Sequence, residues 1–231
     1  MISFQKQRCG ENNMTIVQPT LYYYEHCPYC IRVLAFIGLH DISMQYQVLL
    51  NDDEKTPIAM VGKKMVPILQ TAPDRYMGES LDIIDYLSSQ HQKPVLKDDQ
   101  DIAAVEGFLQ ANRLAIYQLT MPRWAKIPYA EFATSSAVDY FVKKKTALIG
   151  DFDTALAETD VHCATLFDAL EQQSALFEKL AASPSSLASI MLFASLHGVS
   201  VVKGFAWPEA ASAFMQAMAQ ATQCALADSV V

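Results

Sequence analysis

Short β-prone runs and helical stripes take turns through the first ninety residues, and then the β-prone runs stop. Residues 21–24, Leu-Tyr-Tyr-Tyr, form the first such run. Residues 28–40 follow as a helix that is apolar most of the way round. Val33, Phe36, Ile37 and His40 share one face and Arg32 is its single ion, a pattern that predicts a helix buried between layers. Residues 44–50 alternate around Tyr46 and Val48 and predict a second strand. Residues 51–55 are a polar turn leading into a short helix through Met60, and residues 66–69 and 75–77 predict two further strands. Ser80 reads as the N-cap of a helix striped by Ile83, Ile84 and Leu87, with Asp82, Asp85 and Ser88 on the other face. This order predicts an α/β domain on a small mixed sheet.

The stretch 91–99 is polar, contains Pro94 and reads as an interdomain linker. The domains are drawn at 14–92 and 100–231, with the linker at 93–99. Residues 1–13 are either a disordered arm or sequence preceding an alternative start at Met14. Beyond the linker only helical patterns occur. The sequence predicts helices over 102–120 (ended by Met121-Pro122), 135–149 (with Gly150 just past its end), 153–180, 187–203 and 209–228. The second domain is therefore all-α.

Composition narrows the function classes. Of 231 residues, 52% are hydrophobic and 18% charged, enough to bury a core without disulfide staples, and the formal net charge is −8. Acidity spread over the whole chain argues against a nucleic-acid partner. The one basic run, Lys143-Lys144-Lys145, reads as a solvated helix face. Residues 187–202 are the longest weakly polar stretch, but His197, Gly198 and several serines interrupt them, so no membrane span is expected. Residues 1–13 have no apolar core of the kind a secretory signal needs. Five cysteines with only one recognisable spacing suit a reducing cytoplasm.

That spacing is Cys27-Pro28-Tyr29-Cys30. Cysteines three apart on a helical turn can close a disulfide with little backbone movement. Pro28 suits the first helical position, which puts Cys27 at the helix N-terminus among free N–H groups and positive partial charge. An ordinary thiol titrates near about 8.5. Lowering it by two units needs roughly 2.7 kcal/mol at about 1.36 per unit. A partly buried helix terminus contributes about 1–2 kcal/mol, with Arg32, Lys64 or backbone donors supplying the rest. Cys30, one turn in, lacks this help, so Cys27 attacks and Cys30 resolves. Alternatives are inert core cysteines or half a zinc site, for which His26 and His40 are the nearby ligands without a second CxxC to complete it. His26 reads as an exposed turn histidine rather than a base for the thiol. Cys9, Cys163 and Cys224 have no partner spacing.

Several ordered motifs now resemble one family. Residues 23–30, Tyr-Tyr-Glu-His-Cys-Pro-Tyr-Cys, resemble the active-site strand, turn and helix of glutaredoxins. Residues 49–53, 60–62, 66–69 and 75–80 resemble the larger bacterial glutaredoxin 2 subgroup, which joins a thioredoxin-like domain to a helical domain as glutathione transferases do. The likeness runs from about residue 21 to the end of the chain. It implies a glutathione site made from Tyr29, Lys64, Val66, Pro67, Glu79 and Ser80. Val66-Pro67 would be a cis turn whose backbone pairs with the cysteinyl part of glutathione, as an added strand does. Ser80 and its helix N-terminus would take the γ-glutamyl carboxylate and Glu79 the ammonium, with Lys64 facing the glycyl carboxylate. Gly78 stands where the family has proline. In the late helix, Ser189, Ala194 and His197 stand where it has an acidic cap, a proline and an arginine; Ser189 is still a capping residue type.

The reading is a glutathione-dependent thiol–disulfide oxidoreductase that reduces glutathione mixed disulfides, and protein disulfides as further candidates, with glutathione as cosubstrate and no metal or flavin. Its partners would be glutathione and glutathionylated or disulfide-bonded proteins, and the chain a monomer. The rivals are a glutathione transferase, which would have no use for Cys30, and a protein holding an iron–sulfur cluster with glutathione.

Overall fold

A computed structural model of the protein describes residues 18–227. Four strands, β1 (Thr20–Tyr23), β2 (Gln45–Val48), β3 (Ile68–Ala72) and β4 (Arg75–Met77), form one sheet in the order β2-β1-β3-β4. β1 pairs with β2 in parallel and with β3 antiparallel, and β3 with β4 antiparallel. Helix α1 (Pro28–Leu39) makes the crossover from β1 to β2; α2 (Lys55–Val61) and α3 (Ser80–His91) complete the α/β unit. α2 packs on the β3–β4 side, where Tyr22, Tyr24, Leu49 and Ile68 form a small core of their own.

The helical part follows as α4 (Asp99–Trp124), α5 (Ser135–Ile149), α6 (Phe152–Ala157), α7 (Thr159–Glu171), α8 (Ser174–Ala181), α9 (Leu187–His197) and α10 (Glu209–Thr222). Side-chain caps start several of them: Asp98 accepts from the N–H groups of Gln100 and Asp101, Thr134 from Ala137, and Asp151 from Thr154. The larger core is continuous across both parts. Val33, Ala35 and Phe36 of α1 are fully buried, and α1 packs on α3, α9 and α10. Its predicted all-round apolarity is thus used between layers. Gly38 permits the closest approach, since a Cβ there would lie 1.7 Å from the Thr222 carbonyl oxygen of α10.

Several helix boundaries differ from expectation. The segment 153–180 is three helices, not one. Glu158 (φ −92°, ψ 15°) ends α6 and starts α7, and Gln173 (φ −106°, ψ 18°) precedes α8. These breaks let α7 pack on α4 and α8 on α10, with Leu166, Leu170, Phe177 and Leu180 buried, and neither uses a glycine or proline that would mark it in sequence. Helix α4 runs through Pro122 to Trp124, because a proline so near the end removes one bond while buried Met121 and Trp124 hold the last turn in place. Residues 198–201 form a separate 3₁₀ turn after α9. The α9 cap is Ser186, not Ser189; Ser189 is fully buried and gives its N–H to the Ser186 hydroxyl. Among the described residues no helix is long and apolar enough to cross a membrane.

Candidate active site

Cys27 closes β1's exit loop and is the N-cap residue of α1, in extended geometry with no side-chain cap bond; Pro28 occupies the first turn. Its carbonyl accepts the N–H groups of Cys30 at 2.9 Å and Ile31 at 3.0 Å, which starts the helix. Cys27 is half-buried and Cys30 fully buried, both as free thiols. The Cys30 sulfur accepts the Tyr24 N–H at 3.4 Å.

The two thiols are strongly unequal. Cys27 is lowered to about 6; the largest cause is the hydrogen bond with the Cys30 side chain, burial opposes it, and the His26 charge and the N–H groups of Cys30 and Tyr29 add to it. The thiolate is therefore the favoured form at pH 7. Cys30 is pushed well above the ordinary thiol range, first by burial and then by Cys27. The expected asymmetry is present, but its leading cause is Cys30 itself rather than Arg32 or Lys64. The Arg32 guanidinium lies over the Tyr29 ring, 4.8 Å from its centroid. The Lys64 ammonium donates to the Asn51 carbonyl and, at 3.0 Å, to that of Asp53, which ties the loop after β2 to the β3 approach.

A cleft of about 330 Å³ opens at Cys27 between the two parts of the molecule. Cys27, Tyr29, Lys64 and Val66 line it from the α/β side. The Val66–Pro67 peptide is cis, as the resemblance implies. Pro67, Glu79 and Ser80 are not among the cleft's lining residues. Ser80 is not the N-cap of α3 but its first residue, and is buried; Glu79 holds the cap position at φ 64° without a side-chain cap bond. That left-handed backbone turns the Glu79 carboxylate outward to pair with Lys63 at 2.7 Å. At Gly78 a Cβ would meet the Met65 sulfur at 2.8 Å, so Met65 occupies the space a larger residue would need.

Sequence reasoning missed the helical wall of this cleft, to which Tyr117, Trp124, Tyr140, Lys144 and Lys145 contribute. Lys144 pairs with Glu54 at 3.8 Å, and Tyr140 donates to the same carboxylate. Lys145 is partly buried with its ammonium 5.7 Å from the Phe141 ring; burial lowers its pKa and the Cys27 charge opposes this. The basic run is therefore not simply a solvated face.

His26 is likewise not an exposed turn residue. It is buried, with Nδ1 2.6 Å from Glu131 Oε1, and the same oxygen accepts the His26 N–H at 3.1 Å. Its ring stacks on Tyr24 and Phe132 at 5.7 and 5.1 Å. Glu131 belongs to a 3₁₀ turn, Ala130–Phe132, between α4 and α5. The neighbouring Glu25 carboxylate accepts the Ala130 N–H at 2.7 Å, and the Glu131 carbonyl accepts the Asn51 N–H at 2.9 Å. The loop that carries Cys27 is thus latched to the helical part. Among the described residues, no three His, Cys, Asp or Glu side chains converge as a metal site.

The family described as "Glutaredoxin 2, C terminal domain" matches residues 104–231, and "Glutathione S-transferase, N-terminal domain" matches residues 21–103. Glutaredoxin 2 of Escherichia coli strain K12 is 39% identical over 212 residues, covering 91% of this chain and 98% of that protein. The crystal structure of glutaredoxin 2 from Salmonella typhimurium in complex with glutathione superposes with a TM-score of 0.82 at 37% identity, over 92% of this chain and 98% of that one. Glutathione transferase GSTFuA3 from Phanerochaete chrysosporium has a TM-score of 0.61 at 15% identity over 88% of this chain and 97% of its own, a likeness of fold alone.

Proposed function

The chain belongs to the glutaredoxin 2 family of glutathione-dependent thiol–disulfide oxidoreductases, and from that premise we propose that Cys27 is its attacking thiolate and Cys30 its resolving thiol. The observation that carries the assignment is the inequality of the pair: a half-exposed thiol lowered to about 6 facing the cleft, and a buried one held protonated behind it.

The Cys27 thiolate attacks the glutathione sulfur of a mixed disulfide R–S–S–G. The Cys27–glutathione disulfide forms, the original S–S bond breaks, and R–S⁻ leaves with the bonding pair. A second glutathione thiolate then attacks the Cys27–glutathione disulfide, releasing oxidised glutathione and restoring Cys27. With a protein disulfide, Cys27 bonds to one protein sulfur and the other leaves as a thiolate. Cys30 gives its proton to that thiolate and attacks Cys27. The second protein thiolate departs as the Cys27–Cys30 disulfide closes, and two glutathiones reduce it and leave as oxidised glutathione. Glutathione lies in the cleft with its backbone along Val66-Pro67, as an added strand does, while Lys64, Lys144 and Lys145 face its glycyl carboxylate. Ser80 at the start of α3 and Glu79 serve the γ-glutamyl end, once Glu79 exchanges Lys63 for the ligand's ammonium. Tyr29 forms the outer wall. The substrates are glutathionylated and disulfide-bonded proteins of the cytoplasm, and the protein acts as a monomer.

Thiol-transferase assays on single variants test the assignment. Cys27→Ser abolishes reduction of glutathione mixed disulfides, whereas Cys30→Ser retains it and loses reduction of protein disulfides. Loss of mixed-disulfide reduction in Cys30→Ser but not in Cys27→Ser would reverse the roles and overturn the mechanism.

A further inference from the structure

A second cleft, of about 430 Å³, lies on the other side of Tyr29. It shares Pro28, Tyr29, Tyr117 and Trp124 with the cleft that holds Cys27. Its own cations are Arg32 of α1 and Arg113 of α4, and among the described residues no acidic side chain lines it. The chain has 25 acidic residues against 17 Lys and Arg, so guanidinium groups without a carboxylate partner are not what its composition favours. Yet among the described residues neither Arg32 nor Arg113 forms an ion pair. Glu106 acts on Arg32 electrostatically but not at ion-pair distance. The Arg32 guanidinium rests on Tyr29, and its Nε is buried with no hydrogen-bond partner among the described residues. Arginine's planar fork matches a carboxylate in particular.

The chemistry of the reaction says what would bring that carboxylate. With the glutathione half of R–S–S–G in the first cleft, the leaving half must extend elsewhere. The second cleft adjoins the first across Tyr29 and continues its Tyr117–Trp124 wall. We propose that this second cleft is the subsite for the leaving half of the disulfide, and that Arg32 and Arg113 select leaving thiols that bear a carboxylate. This rests on the dithiol reading above and adds a substrate class to it. The carboxylate could be that of a free thiol acid or tripeptide, or of an acidic side chain beside a modified protein cysteine. In either case the attack is the same: Cys27 gains the bond to the glutathione sulfur, and the carboxylate-bearing thiolate departs with the electron pair.

The test compares kcat/KM, in the full-length protein, for glutathione mixed disulfides with 3-mercaptopropionate and with 2-mercaptoethanol. The carboxylate-bearing substrate is expected to be favoured about tenfold, the scale of one charge-assisted contact. Arg113→Gln brings the ratio close to one, and Arg113→Glu turns the preference towards the cysteamine mixed disulfide. Arg113 is exposed, so these changes leave the core intact. Glutathionylated peptides with Asp or Ala beside the cysteine, run against oxidised glutathione, separate the two sources of carboxylate: loss of preference in Arg113→Gln for either pair supports the subsite for that source. A wild-type ratio near one, or a ratio that survives Arg113→Gln, overturns the proposal. Failure of the wild type to reduce any of these substrates would instead sink the dithiol reading, and the subsite with it.

Discussion

His26 and Glu131 stand 105 residues apart in the chain, yet Nδ1 of one and Oε1 of the other lie 2.6 Å apart in a box of aromatic rings. The carboxylate is fully buried, and its second oxygen has no hydrogen-bond partner among the described residues. A lone carboxylate so placed would be costly; it is tolerated because Oε1 takes two contacts, the His26 ring and the His26 N–H. Because His26 precedes Cys27, one interaction both docks the helical part and fixes the loop carrying the thiol.

Replacing Glu131 by Gln is expected to weaken that latch and to remove a pH dependence of stability. Burial alone would raise the Glu131 pKa, but the hydrogen bond and charge of His26 outweigh it and the net shift is downward. A carboxylate lowered on folding stabilises fully above its unfolded value near 4.5, and the contribution is lost as pH falls through the folded value. Urea denaturation of the wild type between pH 6 and 3 should therefore show a decline that Glu131→Gln flattens. Identical pH slopes in the two proteins would contradict the role given to the pair.

The pH dependence of the thiol itself tests what lowers it. Iodoacetamide should alkylate Cys27 with a midpoint near pH 6, where the thiolate forms. Since the hydrogen bond with Cys30 is the largest cause, Cys30→Ala should move that midpoint up, towards the ordinary thiol value. If the midpoint stays near 6 in Cys30→Ala, the helix terminus and His26 supply the shift without Cys30.

How much of this was legible depends on range. The β-α-β order, the buried α1 and the cysteine pair are local patterns, readable because strand and helix periods repeat within a few residues. The His26–Glu131 contact was not, because no local pattern names a partner 105 residues away in the chain. The role of Lys145 could have been found. Three consecutive helical residues span about 200° of the circumference, so the position of the apolar face decides which of Lys143, Lys144 and Lys145 borders it. Lys145 sits four residues after Phe141, on the face Phe141 buries. The breaks inside 153–180 left no trace, since residues such as Glu158 and Gln173 adopt them without any special side chain.

Lys145 and Lys143 therefore make a controlled comparison. Lys145 lines the cleft and interacts with the Cys27 charge, whereas Lys143 is exposed and lines neither cleft. Lys145→Gln is expected to raise the KM for glutathione by roughly two- to fivefold, the scale of one partly screened charge contact. Lys143→Gln should leave it unchanged. Equal effects from both would mean that the protein's general field, not a cleft contact, sets the affinity.

The approach of α1 to α10 predicts a stability effect separable from chemistry. Gly38 is in the last turn of α1, and any Cβ there would stand 1.7 Å from the Thr222 carbonyl oxygen, an atom of the backbone that cannot rotate away. Gly38→Ala must therefore push the helices apart, although alanine is otherwise the better helix former. Overpacking of this kind costs about 1–3 kcal/mol, which for a chain of this size lowers Tm by roughly 2–4 °C per kcal/mol. The dithiol lies at the opposite end of α1, so alkylation of Cys27 in the folded variant should keep its midpoint near pH 6. A Tm equal to or above that of the wild type would show that the two helices do not meet at Gly38.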